Sequence, residues 1–356
     1  MINRQTISLF ARTAGPRSVA VKGQQYAAQF VRHSTPKKLA NWLLAKAQKR
    51  LRMARVYGYP YHYVIDPINI CNLHCPLCPT GQGTLKRPKG RMALDDFKKV
   101  IDEVAEYAYF VDLYNWGEPF LHHQIFDIIE YASSKNISTK ISTNLNYFDQ
   151  GMARQVVESG LGELVVSLDG ADQETYEAYR VGGSLDKVVS NLRLVLERKE
   201  MTNSPFPFVT IRVLLNRHNE SQIPRIRQLG RRLGVDNIVV APIMVDTDRR
   251  EDMEEWLPTN ESYSFYGYET RQDKTLQRVG ACPYLWQRFV ISWEGRVSPC
   301  CWYDDPANDF GNAFAEPVKA IWNNEFYTAS RRVFRGERAS RDTICVRCRG
   351  RPHYYY

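Results

Sequence analysis

The residues best suited to chemistry are eight cysteines, at positions 71, 75, 78, 282, 300, 301, 345 and 348. None lies between Cys78 and Cys282, and no apolar secretion core follows the first residues. Such grouping predicts metal ligation rather than disulfides. The first group is the C-x3-C-x2-C loop Cys71-Asn-Leu-His-Cys75-Pro-Leu-Cys78-Pro. Three thiolates so spaced can wrap one face of a compact iron–sulfur cluster. A fourth would close the coordination of a [4Fe–4S] cubane, whereas three leave one iron open to a small molecule. A zinc site completed by His74 or His62 is the competing reading. The second group, Cys282, Cys300, Cys345 and Cys348, has the pattern C-x17-C-x44-C-x2-C. Four thiolates saturate a cluster, and a zinc ribbon is again the alternative. Cys301 is left over and is read as a small buried residue.

The elements that must position these thiols follow from periodicity. Strands are expected at Tyr61–Ile70, Tyr109–Tyr114, Ile137–Ser142, Leu164–Leu168, Phe208–Leu215 and Asn237–Ala241, with helical stretches near 93–107, 122–135, 149–159, 172–199 and 220–233. Alternation of this kind gives parallel strands with crossover helices, in an α/β fold that could be a partial barrel or a doubly wound sheet. In a barrel, the chemistry sits on loops after the strand C-termini, where the first cysteine loop and several polar motifs fall. Residues 244–280 are read as a linker. A second unit, 281–350, holds a hairpin turning at Glu294-Gly295 and a helical return over Pro317–Phe334 to the Cys345/Cys348 knuckle; 351–356 is a tail.

Charge is uneven. The chain of 356 residues has formal charge +9, yet residues 1–60 hold twelve Lys or Arg and no acid, leaving 36 basic against 39 acidic residues beyond. The basic character therefore gives no support to a nucleic-acid partner for the body. Residues 1–36 read as a loosely ordered arm. Over Lys37–Val56 a basic amphipathic helix is expected, with Leu39, Trp42, Leu43, Ala47 and Leu51 on its apolar face. It would either pack across the end of the main domain or rest on an anionic membrane surface. No apolar run approaches a membrane span, so a cytoplasmic protein, peripheral at most, is expected.

The first cysteine loop resembles the signature of the radical S-adenosylmethionine (radical SAM) superfamily, in which the open iron chelates SAM. Further motifs follow at successive strand ends. Trp116-Gly117-Glu118-Pro119 resembles the family's Gly-Glu-Pro motif, which orients the SAM amino group. Ser142-Thr143-Asn144 and Ser167-Leu168-Asp169 resemble segments that contact ribose or carboxylate, and Arg180 matches an arginine that pairs with the SAM carboxylate. Leu77 stands where the family often has an aromatic residue, and Asn115-Trp116 replaces the more usual glycines. The C-terminal unit resembles the twitch or short SPASM domain with a single auxiliary cluster.

The resemblance implies a partial (β/α)6 radical SAM barrel over 61–243, followed by a small β-hairpin/helix iron–sulfur domain. It implies two [4Fe–4S] clusters, SAM, and a flavodoxin- or ferredoxin-type electron donor. The single-cluster spacing resembles radical SAM enzymes of the 2-deoxy-scyllo-inosamine dehydrogenase type. The expected reaction is SAM cleavage to a 5′-deoxyadenosyl radical, hydrogen abstraction, and two-electron oxidation of a sugar or cyclitol alcohol. The auxiliary cluster would accept the second electron. A ribosomal-peptide maturase and an enzyme acting on a lipid-linked substrate are the alternatives. No G-x-G-x-x-G dinucleotide fingerprint is present. Arg212, Asn216, Tyr284 and Trp286 are candidates to line the substrate cavity.

Overall fold

The computed structural model describes residues 13, 15–246, 249–264 and 281–348. The start of the basic arm, residues 265–280 of the linker and the tail lie outside the described residues.

Six strands run in chain order: β1 (His62–Ile65), β2 (Phe110–Asp112), β3 (Ser138–Thr143), β4 (Glu163–Ser167), β5 (Phe208–Leu215) and β6 (Asn237–Pro242). Each pairs in parallel with the next, which demands a crossover between them. The crossovers carry α3 (Leu94–Val104), α4 (Ile125–Ser134), α5 (Gln150–Glu158), α6 (Gln173–Tyr179), α7 (Leu185–Met201) and α8 (Ile223–Leu233). They follow α1 (Pro16–Arg32) and α2 (Pro36–Arg50). The helix expected over 172–199 is therefore two helices. Arg180 closes the first, and Ser184 caps the second by accepting a bond from the Lys187 amide.

The C-terminal hairpin does not stand apart from this sheet. β7 (Arg288–Ile291) pairs in parallel with β1, and β8 (Val297–Ser298) pairs antiparallel with β7. The strand order is β6-β5-β4-β3-β2-β1-β7-β8. Arg87, buried just beyond the first cysteine loop, locks the hairpin down through Glu294 at 3.0 Å and Asp309. The fold is α/β, a partial barrel whose parallel sheet continues into the C-terminal unit.

Two expectations for the N-terminal segment are corrected. The arm is helical from Pro16 to Arg32, and α1 closes the base of the barrel. There the Ser18 hydroxyl donates to the Ile238 carbonyl at 2.9 Å, Lys22 pairs with Glu163, and Tyr26 stacks on Phe110. The contacts are polar and aromatic, which is why no apolar stripe marks them. Helix α2 forms but ends at Arg50 rather than Val56, and most of its expected apolar face turns outward, only Trp42 packing inward beside Phe30. It buries Lys38, Asn41, Ala45 and Gln48, while Leu43 is 55% and Leu51 70% exposed and Leu39 and Leu44 also face solvent. The buried polar groups serve the adjoining backbone: Asn41 accepts from the Tyr59 amide at 2.8 Å, and Gln48 from the Tyr57 amide at 3.1 Å. Unsatisfied backbone is costlier to bury than leucine is to expose, so these bonds set the helix's orientation.

Candidate active site

The site is built on loops that leave the C-terminal ends of the strands. After β1, Asp66 turns its carboxylate to the next loop, accepting from the amides of Asn115 (3.1 Å) and Trp116 (3.3 Å). Burial raises this carboxyl to about 7, against those amide bonds, which favour the charged form. Gly117 lies so close to the Ile68 carbonyl that any Cβ would collide with it, and the Glu118 amide donates to the Ile70 carbonyl at 2.9 Å. The cysteine loop and the Gly-Glu-Pro loop are thus held together by backbone.

Cys75 is buried and Cys71 and Cys78 are half-buried. Gly81 packs over Cys75, where a Cβ would lie 2.5 Å from the Cys75 nitrogen. Donors surround the sulfurs. The Leu73 amide approaches Cys71 Sγ at 3.5 Å, Asn144 Nδ2 lies 3.7 Å from it, and Arg180 Nη1 lies 3.7 Å from Cys75 Sγ. Burial pushes the Cys71 thiol up to about 12 and raises that of Cys75, which Arg180 partly offsets. Only a bound cation would hold such thiols as thiolates, and iron does so outright. Three thiols, N–H donors to sulfur and a side-chain-free cradle fit a cluster with an open iron.

The other sequence-predicted residues gather beside this loop. Glu118 is buried, with Oε1 accepting from Thr143 (2.7 Å) and the Phe120 amide (3.2 Å), and Oε2 from the Asn144 amide at 2.7 Å. Burial raises it to about 7. Pro119 opens the short turn after it. Arg180 Nε donates to Asp169 at 2.6 Å, and the other Asp169 oxygen accepts from the Leu214 amide at 2.6 Å. Asp169 thereby fixes the guanidinium beside Cys75. A cavity of about 340 Å³ runs from Cys71, Gly117, Glu118, Ser142, Asn144, Ser167 and Arg180 to Tyr284, Arg288 and Cys301 of the C-terminal unit.

Two substrate candidates do not reach it. Asn216 is buried in its own turn, accepting from the His218 amide at 2.9 Å and donating to the Leu214 carbonyl at 3.1 Å. Trp286 is a core residue whose indole donates to the Met53 carbonyl at 2.9 Å. Arg212 and Tyr284 do line the cavity. Cys301, read from sequence as filler, also reaches the cavity wall, with Sγ 2.9 Å from the Tyr284 hydroxyl. Sequence reasoning missed Asp66, Asp112, Lys140 and Arg288; charged residues inside otherwise apolar strands were the available signal.

The second thiol group gathers beside β1 and β7. Cys282, Cys300 and Cys301 cluster with Val64, Tyr284 and Val290. Burial raises the Cys282 thiol, and Cys345 and Cys348 raise it further; Cys300 is raised by burial, Cys301, Cys282 and Cys345. Among the described residues no three of His, Cys, Asp and Glu meet at one point as ligands of a single metal ion do. A cubane distributes its thiolates over separate irons.

Residues 65–230 match the radical SAM superfamily, and residues 282–349 match the SPASM iron-sulfur cluster-binding domain. The chain is built of a radical SAM domain and a SPASM domain. These domains imply a SAM-binding [4Fe–4S] cluster and auxiliary cluster ligation. The radical SAM chain is 24% identical over 289 residues to the AdoMet-dependent heme synthase of Methanosarcina barkeri, covering 71% of this chain and 79% of that one. It is 29% identical over 164 residues to the mycofactocin maturase MftC of Mycolicibacterium smegmatis, covering 46% and 40%. It therefore spans less than half of that maturase's length. The structure of Streptococcus suis SuiB bound to precursor peptide SuiA overlays with TM-score 0.60 at 16% identity, covering 81% of this chain and 70% of that one. This likeness speaks for the fold. Among the described residues, no helix is long and apolar enough to cross a membrane.

Proposed function

We propose that this radical SAM enzyme is a maturase that abstracts hydrogen from a residue of a peptide substrate. The observation that carries the chemistry is one continuous cavity, with the Cys71/Cys75/Cys78 loop at one end and Tyr284 and Cys301 of the SPASM unit at the other. Kinship with a mycofactocin maturase supports a peptide as the substrate. When bound, the cofactors supply homolytic SAM cleavage at one end and electron transfer at the other.

The chain's own residues hold and orient. Cys71, Cys75 and Cys78 ligate the first cluster, and Cys282, Cys300, Cys345 and Cys348 the auxiliary one. Glu118 presents a carboxylate fixed by three donors to the SAM ammonium group, which in turn holds Glu118 ionised. Arg180, steadied by Asp169, offers its remaining N–H groups to the SAM carboxylate. Ser142, Asn144 and Ser167 offer polar atoms around the same volume, and the close approach of Gly117 to the Ile68 carbonyl keeps the two loops in register.

A second reading, oxidation of a sugar or cyclitol alcohol, is favoured by the confined, charged lining of Asp112, Lys140, Arg212 and Arg288. Anaerobic reconstitution with SAM and reductant separates the two readings. Candidate peptides should raise 5′-deoxyadenosine formation and lose hydrogen by mass spectrometry, while cyclitols should not. Stimulation by cyclitols alone would replace the peptide reading with the second.

For the place of action, the outward leucines of α2, flanked by Lys46 and Arg50, support contact with an anionic membrane surface. A flavodoxin- or ferredoxin-type protein remains the proposed electron donor.

A further inference from the structure

After β6 the chain packs against the flank of the first cysteine loop. The Ile243 amide donates to the Leu215 carbonyl at 2.9 Å, and α9 (Arg250–Trp256) follows. Trp256 and Leu257 share one apolar cluster with Leu73, Cys75 and Tyr179, and Cys71 and Cys78 pack against that cluster. Trp256 is only 6% exposed. Its ring meets the Tyr179 ring edge-on with centroids 5.3 Å apart, and the Arg180 guanidinium lies 5.3 Å from the Tyr179 ring centre. Leu73 and Tyr179 line the cavity, whereas Trp256 is not among its lining residues. Trp256 thus backs the cysteine loop without facing a substrate.

A helix of seven residues is too short to persist by propensity, so α9 must be held by tertiary contacts. The loop after β5 supplies them. The Arg217 amide donates to the Trp256 carbonyl at 3.1 Å, Arg217 Nε donates to the Leu257 carbonyl at 3.2 Å, and the His218 ring centre lies 5.0 Å from that of Trp256. Just beyond the helix, Glu220 accepts from the amides of Thr259 at 3.1 Å and Asn260 at 3.3 Å. Asn219 of the same loop donates to the Asp169 carbonyl at 2.9 Å. The support of Trp256 is thereby tied to the residue that fixes Arg180.

A [4Fe–4S] cluster held by three thiolates is anionic, and reduction adds negative charge that water stabilises better than an apolar wall does. Solvent exposure and hydrogen bonds to sulfur therefore set its potential. An indole is the largest apolar body a side chain can bring to exclude that water. We propose that Trp256, held by the loop after β5, is a positioning residue that seals the flank of the first cysteine group, keeping the cluster's potential low and its iron out of reach of dissolved oxygen. The inference rests on the radical SAM reading of the site. It adds to that reading a residue outside the cysteine loop and outside every motif at the strand ends.

The test uses the reconstituted holoenzyme, in which the auxiliary cluster serves as an internal reference. Redox titration followed by electron paramagnetic resonance separates the signal that changes on adding SAM from the one that does not. Trp256→Ala should move the midpoint of the SAM-responsive signal to more positive potential and shorten its survival in air-saturated buffer several-fold. The other signal should keep its midpoint and its lifetime. Trp256→Phe should restore most of both properties, and Arg217→Ala, which loses the Nε bond but keeps the backbone one, should shift them less and in the same direction. Where Trp256→Ala takes up no iron, Trp256→Leu carries the same comparison. An unchanged midpoint and lifetime in the variant overturn the seal, and so do equal changes at both clusters, which report general loosening. A wild-type protein with no SAM-responsive signal would instead overturn the radical SAM reading beneath it.

Discussion

The two cysteine groups differ in what surrounds their sulfurs. The first lies on a single loop, receives N–H groups from Leu73, Asn144 and Arg180, and opens into the cavity. The second is gathered from a turn, a strand end and a C-terminal knuckle; Cys282 and Cys300 pack with Val64, Tyr284 and Val290, and Cys345 against the main core. A local triplet with polar neighbours suits a site that must admit a ligand. A quartet dispersed along the chain suits a saturated one; apolar residues border both groups, Leu73, Tyr179 and Ile243 packing around the first. The β1–β7 pairing ties the strand that leads into the first group to the hairpin between Cys282 and Cys300 of the second, within one sheet.

The largest effect should separate the groups outright. Cys71→Ala should abolish 5′-deoxyadenosine formation, whereas Cys345→Ala should keep uncoupled SAM cleavage and lose product. Equal loss in two folded variants would erase the distinction. Next comes the seam that holds the first loop. Gly117→Ala forces a methyl into the Ile68 carbonyl, so SAM binding measured by dialysis should fall below detection; near wild-type affinity would show that the seam can relax. Asp169→Asn should weaken SAM binding roughly tenfold by loosening Arg180, the scale of one charge-assisted bond. An unchanged Kd would remove Arg180 from the site.

A pH series on the cofactor-free protein sharpens the same contrast. Asp66 and Glu118 are raised to about 7 in the fold, above their unfolded values. Their contribution is full below the unfolded values and is lost as pH rises through about 7. The Tm should therefore drop between pH 6 and pH 8, and Glu118→Gln should flatten part of that slope. A flat wild-type profile would contradict the assignment. The smallest effect concerns α2: Leu43→Glu should reduce salt-sensitive sedimentation with anionic vesicles several-fold, and equal sedimentation would dismiss the membrane contact.

Much of this was legible in the sequence because the signals were local. The cysteine spacing, Gly117-Glu118-Pro119 and the strand–helix alternation each depend on neighbours in the chain. What escaped depends on partners far away. The inward face of α2 is chosen by Asn41 and Gln48 bonding the loop at 57–59, and α1 is held by Lys22 reaching Glu163. The charged wall formed by Asp112, Lys140 and Arg288 exists only once four strands, β7, β1, β2 and β3, are set in register. Asn216 looked available at a strand end, yet its amide is spent on closing its own turn.

The most direct measurement keeps only the first group. In a Cys282/Cys300/Cys345/Cys348→Ala variant, anaerobically reconstituted and reduced, electron paramagnetic resonance should show one [4Fe–4S] signal that changes when SAM is added. A cluster signal indifferent to SAM, or a protein that takes up zinc in place of iron, would contradict a vacant iron site at Cys71, Cys75 and Cys78.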